Sequence, residues 1–250
     1  MRLDLMNMPE VLYSMDNCVS SGRDIGSYVV VANANDAVAC CKDEKARKAS
    51  NSSFLTVPDG ISLVILSRLL GGSLKRRVYG PDLMAGFLKL SESKGYSHFF
   101  YGATESTLRL LIDNLKLKFP SLKIAGSYAP PFRPLTKEED GAVVDIINKT
   151  HPDVVWVGLG CPKQQIWMYE HKDKLRVPVM VGVGAAFDFL AGVKPQAPRW
   201  LRDHGFEWLF RLVTEPKRLW RRYLISYPQF AYYILVDFVK NRLRSDNIRS

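Results

Sequence analysis

The 250-residue sequence predicts an α/β fold, a mostly parallel sheet sandwiched by helices over residues 1–195, followed by a basic helical appendage over 196–250. Three observations predict it. From Ser97 onward, short apolar runs alternate with longer amphipathic ones, the pattern of βαβ units. One of those runs, DVVWVGLG at 153–160, is continuously apolar, as a strand covered on both faces must be. After Gly184 the alternation stops and basic, aromatic stretches with helical spacing take over.

The elements follow in order. Tyr28–Ala32 and Phe54–Val57 read as strands, followed by helices at 35–48 and 61–70. HFFYG at 98–102 is a strand, and 105–119 a helix with apolar residues at 108, 111, 112 and 115. LKIAG at 122–126 is the next strand. A Pro-rich loop, APPFRP at 129–134, leads to Thr136 with Glu139 three residues on, a capping-box spacing that opens a helix. The strand at 153–160, a helix at 163–174 and a strand at 177–184 complete the alternation. Beyond it, 200–210 and 216–244 read as helices, the second interrupted near Pro228.

Composition excludes several classes. With 47% hydrophobic and 24% charged residues, disorder and fibre are ruled out. Cys18, Cys40, Cys41 and Cys161 show no CxxC spacing, so neither a disulfide framework nor a structural zinc site is expected, and a reducing compartment is the natural reading. Acids at 4, 10 and 16 and the lack of an apolar core argue against a signal peptide, and the longest apolar stretches fall short of a bilayer span. The net charge of +10 is concentrated in the tail: from Lys194 onward twelve Lys/Arg face five acids, leaving +7, and Trp200–Phe238 holds eleven of the 28 aromatics. Such a tail suits a phosphate-rich or membrane-surface partner. Arg218, Arg221 and Arg222 share a helical face by spacing, with Trp220, Tyr223, Phe230, Tyr232 and Tyr233 interleaved. The plainer reading is a solvated basic face with aromatics in the core.

Open parallel sheets bind ligands at the carboxyl ends of their strands, where helix N-termini attract anions. Small residues load these positions: Gly102-Ala103-Thr104, the 126–134 loop, Gly158 to Gln164, and Gly182 to Asp188. A Rossmann-like sheet is therefore expected, yet neither Gly run is a GxGxxG, because Lys163 and Phe187 stand where the last Gly belongs. A nicotinamide oxidoreductase is disfavoured accordingly. No acid-x-acid pair lies at a strand end, so no metal site is expected. Cys161 reads as a small loop residue rather than a nucleophile, since no histidine falls near it in the pattern.

The segments VPDG (57–60), RRVYGPDL (76–83), FFYGA (99–103), PPFRPLTKEE (130–139), GLGCPKQQIW (158–167), VGVGAAFDFLAG (181–192) and APRWLRDHGFEWLFRLVTEPKRLWRRYL (197–224) together resemble the WecG/TagA/CpsF glycosyltransferases, collinearly over roughly residues 28–225. The resemblance implies an inverting transfer of a hexose derivative of the N-acetylmannosamine type. The donor would be a UDP-sugar and the acceptor a polyprenyl-diphosphate-linked sugar, at the cytoplasmic face of a bacterial membrane, without a metal or other cofactor. It implies Asp59 as general base; helix capping is the structural alternative. Arg77 matches an arginine near the donor diphosphate, against a reading as a surface residue. Gln164 would contact sugar hydroxyls, or merely open its helix. Asn33 follows the first strand, and Asp188 would accept from uracil or ribose; in so apolar a run it needs a partner. Arg211, Arg218 and Arg221 would reach diphosphates of donor or acceptor, with Arg211 also assisting catalysis. Two departures are Val31, where the family has threonine, and Gln165, where a glutamate is usual. A basic nucleic-acid binder is the alternative class: it explains the tail but not the loaded strand ends, and no RRM, KH or helix-turn-helix signature accompanies it. Self-association as a homo-oligomer is left open.

Overall fold

The computed structural model describes residues 1–22, 25–74 and 76–247. Residues 248–250, the end of the expected appendage, lie outside the described residues, as does the side chain of Arg222. A six-stranded, all-parallel sheet organises the chain: β1 (Ser27–Ala32), β2 (Leu55–Pro58), β3 (Ser97–Gly102), β4 (Lys123–Tyr128), β5 (Val154–Gly158) and β6 (Val179–Gly182), in the order β2-β1-β6-β5-β3-β4. Each expected strand forms, with ends shifted by a few residues.

The strands alternate their side chains between two cores. Val29, Val31, Phe100, Trp156 and Val181 face one side, where α1 (Met8–Ser21), α5 (Gly80–Lys94), α6 (Glu105–Lys118) and α9 (Ala186–Leu190) cover them. Tyr28, Val30, Phe99, Tyr101, Val155 and Val157 face the other, covered by α2 (Ala34–Lys42), α4 (Ile61–Leu69), α7 (Lys137–Thr150) and α8 (Lys163–His171). Period-2 alternation, with both faces apolar, is what makes a strand read as a continuous hydrophobic run. Trp156 and His98 are wholly buried, and the indole N–H donates to His98 Nδ1 at 3.1 Å. Burial pushes the His98 imidazole down to about 3.

Polar residues punctuate the elements. Asn7 and Glu10 form a capping box on α1, and Gly22 ends that helix with φ +59°. The expected helix at 35–48 is two, α2 and α3 (Glu44–Asn51), because the Asp43 side chain accepts from the N–H groups of Lys45 and Ala46 and starts a new helix. The expected 200–210 helix divides at Gly205 (φ +81°) into α10 (Arg199–Asp203) and α11 (Glu207–Thr214). After α12 (Pro216–Arg221), a π-helical turn over Arg222–Ser226 precedes α13 (Tyr227–Asn247), so the interruption falls just before Pro228. At the β2 edge the N-terminal segment supplies the missing partner: Asp4 N–H donates to Thr56 O at 2.7 Å, and Thr56 N–H to Asp4 Oδ2 at 2.8 Å. No described helix is long and apolar enough to cross a membrane.

The site is positioned by how the chain leaves the sheet. From β3 it passes through α6 to β4, and from β5 through α8 to β6 in the opposite direction, on the opposite face. The loops diverge at the carboxyl ends, and a crevice opens there.

Candidate active site

At that edge lies a cavity of about 620 Å³ with a floor of strand ends and a roof of later helices. The floor comprises Asn33 after β1, Asp59 after β2, Ala103 and Thr104 after β3, Gly158 to Cys161 after β5, and Val183 to Asp188 after β6. Backbone shape explains the small residues. Gly102 has φ +129°, and a Cβ there would sit 2.7 Å from Gly158 C, so only glycine lets β3 and β5 end side by side. A Cβ on Gly182 would meet Met168 at 2.8 Å and Gln164 Nε2 at 3.0 Å, which would push the glutamine out of the floor. Ala103 keeps a left-handed φ of +55° without being glycine, a strain of the kind that gathers at functional sites.

Asp59 is held on three sides, by two backbone groups and one guanidinium. Its N–H donates to Ala32 O at 2.7 Å, its carbonyl accepts from Arg77 Nη1 at 3.3 Å, and its Oδ1 accepts from the Gly80 N–H at 3.2 Å. It does not cap the helix it precedes: Gly60 occupies the N-cap of α4 and no side chain caps it. Burial above all, with Glu207 adding to it, raises the Asp59 carboxyl to about 6 against the lowering effect of Arg77, the Gly80 N–H and Arg211. A carboxylate so tuned can take a proton near neutral pH.

Asn33 serves two purposes at once. Its Oδ1 accepts from Asn35 N–H at 2.9 Å, and Asp36 Oδ2 accepts from the Asn33 N–H at 2.9 Å, closing a capping box on α2 while the residue lines the cavity. Gln164 is buried; its Oε1 accepts from the Gly160 N–H at 3.2 Å and fixes its own loop. The neighbouring Gln165 is wholly buried and donates to Asp36 Oδ1 at 2.9 Å, so the amide holds a carboxylate in place where a second acid would repel it. Cys161 accepts weakly from Asn35 Nδ2 at 3.5 Å and Gln165 Nε2 at 3.7 Å.

The roof is charged. Asp188 has the partner its apolar run demanded, Lys194, which also meets Glu215 Oε2 at 3.3 Å. Glu215 in turn holds Arg218 at 2.8 Å. Arg211 lies over the Phe189 ring at 5.3 Å, its Nε buried with no hydrogen-bond partner among the described residues. Arg211, Arg218, Lys194 and Glu207 all line the cavity.

Two arginines sit elsewhere. Arg77 is not among the cavity-lining residues: it stacks on Tyr79 at 4.5 Å and pairs with Glu207 at 2.6 Å, both side chains largely buried, so it ties α11 to the loop carrying Asp59. Arg221 is exposed over Trp220 at 5.2 Å and outside the cavity lining. Arg218 and Arg221 stand three residues apart on α12, but their surroundings differ: Arg218 meets Glu215 and lines the cavity, and Arg221 does not line it. The tail aromatics divide likewise: Tyr223 and Phe230 are buried, while Trp220 and Tyr232 are 44% and 62% exposed.

Sequence reasoning missed Glu207, Lys194 and Tyr79. Each owes its place to packing between distant segments; the only local signal was an acid, Glu207, inside a basic aromatic run. The Pro-rich loop reaches the cavity mouth with Phe132, which is 91% exposed. Its foot is fixed by Arg133, paired with Glu139 through two hydrogen bonds of 2.7 and 2.6 Å. Among the described residues, no three of His, Cys, Asp and Glu gather as a metal site.

Comparison with known proteins finds named relatives of the chain. A relative from Bacillus spizizenii, named N-acetylglucosaminyldiphosphoundecaprenol N-acetyl-beta-D-mannosaminyltransferase, is 32% identical over 210 residues, covering 84% of this chain and 79% of the relative. Its namesakes from Bacillus subtilis and Staphylococcus aureus are each 30% identical over 215 and 207 residues, covering 86% and 83% of this chain and 81% and 79% of their own. The nucleic-acid alternative gains no support. The model of the glycosyl transferase WecG/TagA/CpsF family matches residues 1–244, and the chain belongs to that family.

Proposed function

We propose that this glycosyltransferase moves an N-acetylmannosamine-type hexose from a UDP-sugar to a polyprenyl-diphosphate-linked sugar, with inversion and without a metal, at the cytoplasmic face of the membrane. The observation that carries the reading is one half-buried carboxyl, Asp59, raised to about 6 on the floor of a cavity whose roof presents Arg211 and Arg218. In the transfer, the acceptor hydroxyl oxygen attacks the anomeric carbon from the face opposite the leaving group. Its proton passes to Asp59 as the new C–O bond forms. The bond from the anomeric carbon to the diphosphate oxygen breaks, and UDP departs with the electron pair.

The charge that develops on the departing diphosphate needs neutralising, and preorganised guanidinium groups in a dry cleft supply that where other enzymes use a cation. Arg211, whose Nε has no hydrogen-bond partner among the described residues, and Arg218 are assigned this task. Gln164, Asn33 and Asp188 are assigned to sugar and nucleoside hydroxyls or amides at the floor. Arg77 is assigned to hold Asp59 and α11, and Arg221 to anionic lipid. The appendage, residues 196–250, is assigned to the membrane surface: Trp200 and Val213 are 64% and 73% exposed, and Arg199, Lys217 and Arg221 are exposed as well.

A screen of UDP-sugars against a polyprenyl-diphosphate N-acetylglucosamine acceptor, scoring UDP release in excess EDTA, tests the reading. UDP release with one N-acetylhexosamine donor is the expected result. Release from none, or release that chelation abolishes and magnesium restores, overturns the transfer or its metal independence respectively.

A further inference from the structure

A second cavity, of about 1230 Å³, lies on the flank of the molecule between the N-terminal segment, α2, α4 and α13. Ala37, Cys41, Leu63, Leu66, Phe230 and Ile234 are among its walls, and Arg47 carries the one charged side chain among the described residues that line it. A groove of this size and apolarity, left open on a basic protein, is built for a hydrocarbon occupant.

Its relation to the active site identifies that occupant. The two helices that form its inner wall begin together at the catalytic floor. Asn33 is the N-cap of α2 and Gly60 the N-cap of α4, and a Cβ on Gly60 would stand 3.2 Å from Asn33 Cβ. At 1.5 Å of rise per residue, Ala37 and Leu63 lie about one turn, roughly 5 Å, along the helices from these caps. On α2 the residues Asn35 and Asp36 face the first cavity, whereas Ala37, Val38 and Cys41 face the second. One helix thus passes from a polar, anion-suited site to an apolar trough within a turn. The opposite wall is α13, anchored by Phe230 in the core and by Lys42 Nζ donating to Gln229 at 2.6 Å. A molecule with a diphosphate head and a long branched hydrocarbon tail matches the two cavities in their order.

We propose that this groove receives the proximal isoprenoid units of the lipid acceptor, drawing them out of the bilayer so that the sugar-diphosphate head reaches Asp59. The proposal rests on the lipid-linked acceptor assigned above. It makes the groove a determinant of chain-length preference, separate from the contacts that bind donor and sugar.

The test uses the full chain with two acceptors carrying the same sugar diphosphate, one on a long polyprenyl chain and one on a short, water-soluble prenyl chain. Leu66→Glu and Ile234→Glu put a charge among the groove walls without touching the floor. Each should lower kcat/KM on the long-chain acceptor by about tenfold or more, the worth of a few buried methylenes, and leave the short-chain value and vesicle pelleting unchanged. In the unaltered enzyme, alkylation of the exposed Cys41, read by peptide mass spectrometry, should slow when a long polyprenyl monophosphate is added and not when inorganic diphosphate is added. Unchanged chain-length preference in both variants, or unprotected Cys41, overturns the proposal. Cys41 protection that grows with protein concentration in the absence of lipid also overturns it, because a second copy would then fill the groove. If the variants lose both acceptors through misfolding, Cys41 protection in the unaltered enzyme decides. If the unaltered enzyme serves neither acceptor with any UDP-sugar, the transfer reading fails, while Cys41 protection still reports on the groove.

Discussion

The floor and the roof of the active-site cavity are made in opposite ways. The floor is the end of a hydrophobic core: strands with almost no exposed surface run directly into glycine turns, and the polar atoms that line it are fixed by backbone N–H groups at Asp59, Asn33 and Gln164. The roof is short helices attached through charge, by Arg77–Glu207 at 2.6 Å, Arg202–Asp82 at 3.1 Å and the chain Asp188–Lys194–Glu215–Arg218. Apolar packing is insensitive to salt and fixes geometry closely; ion pairs are exchangeable, and a phosphate can compete for them. On the proposed reading, a floor that positions the base and a roof that can trade its internal partners for those of a diphosphate divide the work between precision and adaptability.

The largest way to break this division is at the floor. Asp59→Asn keeps the shape and removes the proton acceptor, so turnover should fall about 10²–10⁴-fold with UDP binding retained, as read by UDP release and calorimetry. Because burial raises the Asp59 carboxyl, the ionised form costs the fold stability above about pH 6, and that cost disappears as the pH falls and the group protonates. The same substitution should therefore raise stability at pH 7, on the order of 2 kcal/mol by denaturant melting, while abolishing function. Unchanged turnover removes Asp59 from the base position.

At the roof, Arg211→Ala should slow transfer to a short soluble acceptor by about 10²-fold, the usual effect of losing one donor to a developing oxyanion. It is a sharper probe than truncation after Val193, which would also strip Phe230 from the core beneath α13. A normal rate on the soluble acceptor would reduce Arg211 to membrane adhesion.

The joint between floor and roof should respond to pH. Glu207 helps to raise Asp59, so Glu207→Gln should move the acid limb of the kcat/KM profile to lower pH, by up to about one unit. A limb that stays in place separates the latch from the base.

The smallest expected effect on activity lies far from both. His98 is held neutral by burial, with a pKa near 3, whereas in the unfolded chain it protonates at its ordinary value. Stability should thus fall as the pH drops below about 6.5, by up to ~1.4 kcal/mol per unit, and His98→Gln should weaken that acid dependence in urea titrations without altering kcat at neutral pH.

The floor was far more legible in the sequence than the roof. Continuous runs such as DVVWVG declare a strand buried on both faces whatever it packs against, and a glycine or acid directly after one lands at the carboxyl edge by topology alone. Gln164 stands in a loop read that way, whereas Asp59 and Asn33 come from the family resemblance and fall directly after β2 and β1. Glu207 and Lys194 were not, because ion pairs across 130 and 21 residues leave no local periodicity. Arg77 was read toward the ligand since nothing in RRVYG announces a partner on α11. The helices α1 and α5 also went unread; their apolar stripes are diluted by Ser, Asn and Gly, and they form because the sheet face needs covering.

Glu139 links the Pro-rich loop to the helix behind it. One oxygen accepts from the Thr136 N–H and from Arg133, the other from Arg133 alone, and the carboxyl is held at about 2 by these partners. The loop is therefore clamped at its base while its tip, with Phe132 projecting over the cavity mouth, bears no structural duty. Such an arrangement is modular: with the foot clamped and the tip exposed at the cavity mouth, a substitution at the tip changes the entrance to the site while the floor stays as it is.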